Sequence, residues 1–73
     1  MSDDTSRIEF RAFMLALYKL LTFTGTLTEK SCRALYDLEN AAMQDAAFDA
    51  NEDEWMGEAL AIATDAIYGH FTP

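Results

Sequence analysis

The apolar residues of this chain recur at helical rather than strand spacing. Phe10, Phe13, Met14, Leu17, Leu20 and Leu21 fall three and four apart, the repeat of one face of an α-helix. Ser6 followed by Glu9 has the form of a capping box, and Gly25 stands where a helix should stop, so a first helix is expected over 7–23. Thr26 with Glu29 repeats the box ahead of Leu35, Leu38, Ala42 and Ala46, placing a second helix over 27–49. Asn51 with Glu54 makes an Asx version of the box for a third helix, over 52–69, with Gly69 as its stop. The threonines at 22, 24, 26 and 28 alternate as a strand would, but Gly25 interrupts them and no partner strand is available, so they read as a turn. The expected fold is all-α, a small three-helix bundle.

Some apolar positions do not fit inside such a bundle. Ile8 and Leu15 point away from the core stripe of the first helix, with Ala12 beside them and Lys19 as their charged neighbour. The third helix carries two adjacent apolar lines, one of Met56, Leu60, Ala63 and Ile67 and one of Trp55, Ala59, Ile62 and Ala66. A domain of this size buries only about 60% of its unfolded surface, so a second subunit is a natural source of extra burial. A homodimer is expected, with Ile8, Leu15, Trp55 and Ile62 at its interface.

Composition narrows the class. Hydrophobic residues make up 51% of the 73 and aromatics 12%, too much for a disordered acidic tail. Residues 12–21 form the longest apolar stretch, but Lys19 breaks it and it falls short of the ~20 residues a membrane span needs. The acidic start, Met1-Ser2-Asp3-Asp4, is unlike a secretory or transit leader. The single cysteine, Cys32, permits no internal disulfide, and a cytoplasmic location is expected. With no repeat or linker, residues 1–73 read as one acidic helical domain.

Charge is distributed unevenly. Residues 1–33 hold four acids and all five bases, whereas residues 34–73 hold nine acids and no base, for a net charge of −8. Asp45, Asp49, Glu52, Asp53 and Glu54 crowd the corner between the second and third helices, and the second-helix wheel puts Phe48 beside them, off the Leu35 and Leu38 stripe. This corner is the expected partner-binding surface, with Phe48 as an aromatic anchor among steering carboxylates. A solvated surface that serves only solubility is the plainer reading of the same acids.

Motifs for chemistry fail on inspection. Asp49, Asn51 and Asp53 match the first, third and fifth ligands of a calcium loop, but Glu54 stands where glycine is needed and Leu60 where the bidentate glutamate is needed. His70 has no second imidazole to share a zinc ion and is expected beyond the last helix. Cys32 has no histidine placed to activate it and reads as a half-buried, inert thiol. Glu54 with Glu58 and Asp45 with Asp49 are i,i+4 carboxylate pairs of a kind common on solvated helices. No phosphate loop or basic patch is present, so neither a cofactor, nor catalysis, nor direct nucleic-acid binding is expected.

In size, acidity and helical simplicity the chain resembles the small inhibitors of phages and mobile elements, such as anti-CRISPR and other DNA-mimicking proteins. This likeness is one of composition, with no residue carried over. It implies a non-enzymatic protein that blocks a basic or regulatory surface of a host protein. The alternative expectation is a homodimeric structural or regulatory adaptor.

Overall fold

The first helix, α1, runs Ser2–Thr24 in a computed structural model that describes residues 2–71, with side chains from 5 to 68. Because it starts ahead of the expected residue 7, Ser6 and Glu9 lie inside the helix and do not cap it. Its end is as expected. Gly25 takes φ +75°, its N–H donates to the Thr22 carbonyl at 3.1 Å, and the Thr26 N–H donates to the Leu21 carbonyl at 3.0 Å. These are the paired bonds of a Schellman stop, whose left-handed residue favours glycine.

That stop shifts the next cap. Thr26 is held in the turn, buried, with its hydroxyl 2.7 Å from that of Thr24. Thr28, in extended backbone, therefore becomes the cap in place of Thr26, its Oγ1 accepting the Ser31 N–H at 3.0 Å. The second helix, α2, runs Glu29–Gln44 and stops short of the expected residue 49. Asp45 leaves the helical region, and its carboxylate accepts the Ala47 N–H at 2.9 Å, an Asx turn that competes with another helical turn. A 3-10 helix, Phe48–Asn51, then leads into α3, Glu52–Phe71. Asn51 belongs to that 3-10 turn and donates to the Ala47 carbonyl at 3.3 Å instead of capping α3. Since α3 continues through Gly69, His70 falls in its last turn and not beyond it; the side chains of His70 and Phe71 lie outside the described residues.

The pairs Arg7 with Met43, Arg11 with Glu39 and Tyr18 with Cys32 show α1 and α2 running antiparallel. With α3 packed on both, the molecule is a three-helix bundle of 44 × 18 × 17 Å, and no strand occurs among the described residues. Its core takes Phe10, Met14, Leu17 and Leu21 from α1, Leu35, Leu38 and Ala42 from α2, Ala59 and Ala63 from α3, and Phe48 from the 3-10 turn. Small residues on α2 and α3 thus face large ones on α1 and the corner, the alternation that close packing requires. Leu20, expected in the core stripe of α1, is exposed; Leu60, on one of the two apolar lines of α3, is exposed as well, and so is Ala46, which lies beyond the end of α2.

Candidate interaction surfaces

The corner that joins α2 to α3 is built around Phe48. Its ring is fully buried, edge-on to Phe10 at 5.2 Å and tilted against Trp55 at 6.3 Å. This overturns the expectation of an exposed anchor: with α2 ending at Gln44, the helical phase that pointed Phe48 outward no longer applies. Over the ring, at 5.2 Å, lies the guanidinium of Arg7. It donates to the carbonyls of Ala42 at 2.7 Å, Met43 at 2.8 Å and Asp45 at 3.0 Å. These carbonyls close α2, which has no basic residue in its own last turn, so α1 supplies the C-terminal cap from across the bundle. Sequence reasoning missed Arg7 because the bond spans 35 residues or more; the available signals were an uncapped helix end and a base near the start of its antiparallel neighbour.

Around this corner the acids do gather. Asp49, Glu52, Asp53 and Glu54 line one shallow open depression with Ala50 and Asn51. Glu52, Asp53 and Glu54 form the first turn of α3, where negative charge also favours the helix dipole. Asp53 and Glu54 are exposed, Asp49 and Glu52 half-buried. Asp45 stands apart from that lining, its carboxylate engaged in the turn before the 3-10 helix.

The second surface is the outer side of α1. Ile8 is 67% exposed, Leu15 55% and Phe23 79%. Trp55 and Ile62, expected on the same interface, are instead half-buried and packed against the core. The wide apolar arc of α3 is therefore mostly consumed within one bundle, leaving Leu60 and Tyr68 outside.

A third, smaller feature lies where α1 meets the first half of α2. Cys32 is exposed rather than half-buried and shares a surface pocket with Tyr18, Arg33, Tyr36 and Asp37. The Tyr18 hydroxyl donates to the Cys32 carbonyl at 3.2 Å. Burial pushes its pKa up to about 12, reinforced by the negative charge available to Cys32, Glu39 and Asp37. Among the described residues, no cluster of three or more His, Cys, Asp or Glu is arranged to hold a metal ion, and no helix is long and apolar enough to cross a membrane.

The chain matches no protein family, no curated protein and no solved structure.

Proposed function

We propose that this protein is a non-enzymatic, cytoplasmic interaction factor whose acidic end engages and blocks a basic surface of a host protein, in the manner of phage-borne DNA mimics. The observation that carries the reading is the gathering of Asp49, Glu52, Asp53 and Glu54 at one corner while the nearby Arg7 guanidinium turns inward to backbone carbonyls. Clustered carboxylates raise the encounter rate with a cationic target and repel nucleic acid, so direct DNA or RNA binding is outside this function. Phe48 acts here from beneath, holding the corner in shape, and the exposed Asp53 and Glu54 are the contact groups.

The test is affinity capture from a bacterial lysate with the wild type and an Asp53→Asn, Glu54→Gln variant side by side. A basic protein retained by the wild type, released by salt at about 0.5 M and absent from the variant is the expected result. Identical capture by both forms, with the variant still helical, refutes a role for the acidic end. A salt-dependent gel shift with duplex DNA refutes the charge reading itself.

A further inference from the structure

The exposed side of α1 has an internal symmetry about the level of Met14. Glu9 and Lys19 lie five residues to either side of it, Ala12 and Ala16 two, and Ile8 and Leu20 six. All six are exposed; the spacing places Ile8, Glu9, Ala12, Ala16 and Lys19 on the side of α1 turned away from buried Phe10, Met14 and Leu17, and Leu20 on the flank of that side next to Leu17. A helix of this pattern is complementary to a second copy of itself laid antiparallel. Rotation about a two-fold axis at Met14 sets Glu9 against the partner copy's lysine at 19, alanine against alanine, and isoleucine against leucine.

From this juxtaposition we infer that the protein forms an isologous homodimer through an antiparallel α1 pair, with the two-fold axis at the level of Met14. Each component has a physical role. Alanines nearest the axis allow the helices to approach closely, Ile8 and Leu20 supply the desolvated contacts, and the two Glu9–Lys19 pairs reject the parallel arrangement, which would stack like charges.

The acidic corner lies outside these pairings and stays available on both protomers.

Light scattering and sedimentation of the full chain at micromolar concentration test the proposal. The expected mass is twice 8.2 kDa, falling to the single-chain value in Ile8→Glu, whose side chain is exposed and whose change leaves the core intact. Lys19→Glu alone is expected to weaken the dimer, and adding Glu9→Lys to restore it, since the double reversal recreates both pairs. In a Cys32→Ser background, mild oxidation of mixed Ala12→Cys and Ala16→Cys chains is expected to link 12 to 16 across the axis, a readout that needs no destabilising charge. A monomeric wild type overturns the inference, as does an α1 face that captures a foreign protein while the chain remains monomeric. A dimer indifferent to the charge reversals, without the 12-to-16 link, overturns the antiparallel register.

Discussion

Phe48 illustrates how much one residue's role depends on where a helix ends. Carried past residue 45, the α2 wheel turns its ring outward among carboxylates; with the helix stopped at Gln44, the same ring enters the core and meets Phe10 and Trp55. Phe48→Ala is accordingly expected to cost about 3–5 kcal/mol through lost contacts and the cavity left behind, a large part of a small domain's stability. Urea unfolding followed by circular dichroism measures it, and an unchanged midpoint would mean that the ring is not buried. Tyr18 gives a second test at this scale. Its folded pKa, about 12, lies above the unfolded value of 10, so the folded state holds the phenolic proton more tightly. Its stabilising contribution is therefore complete below pH 10 and declines as pH rises through 10 towards 12. Absorbance titration of the wild type against Tyr18→Phe should show this phenol ionising late, and the alkaline loss of stability should be smaller in Tyr18→Phe.

Among the elements, α2 depends most on its neighbours. It begins with its own cap at Thr28 but ends on carbonyls that reach Arg7 of α1. Charged hydrogen bonds of this kind are worth about 1.5–3 kcal/mol, and the planar guanidinium reaches three carbonyls that one ammonium does not match. Arg7→Gln is expected to destabilise the fold by roughly 2–3 kcal/mol, with Arg7→Lys recovering only part of it. Thermal unfolding measures the difference; equal stability of lysine and arginine would reduce the cap to a simple charge effect. In the turn ahead of α2, Gly25→Ala places a Cβ on a residue at φ +75° and should cost about 1–2 kcal/mol, although nothing crowds the new methyl. Replacing an exposed alanine such as Ala41 by glycine supplies the matched control for ordinary helix propensity.

For the whole molecule, the balance of charge sets the conditions under which it is stable. A net charge of −8 on 73 residues opposes compaction, and the Arg11 to Glu39 approach of 3.8 Å is too exposed on the arginine side to offset it. The unfolding midpoint is expected to rise as sodium chloride goes from a few millimolar to about 150 mM, where screening acts within roughly 8 Å. A falling midpoint would mean that attractive pairs outweigh the repulsion. The same screening should leave an apolar α1 seam largely intact while weakening contacts made by the acidic corner, so salt separates the two surfaces within one sample.

Helical class, three elements, the Gly25 stop and the crowding of acids near residues 45–54 were legible in the sequence because each depends on neighbours only a few positions apart. Ile8 and Leu15 were legible as exposed for the same reason, since they lie within one unbroken helix whose phase runs through from Phe10. Tertiary structure decided what crosses an element boundary. The Schellman turn moved the α2 cap from Thr26 to Thr28, and the Asp45 turn reset the phase before Phe48. Trp55 and Ile62 found cover that their own helix could not reveal. Arg7 acquired its role only when two antiparallel helices brought its guanidinium to carbonyls 35 residues and more away, a closeness in space that no local periodicity encodes.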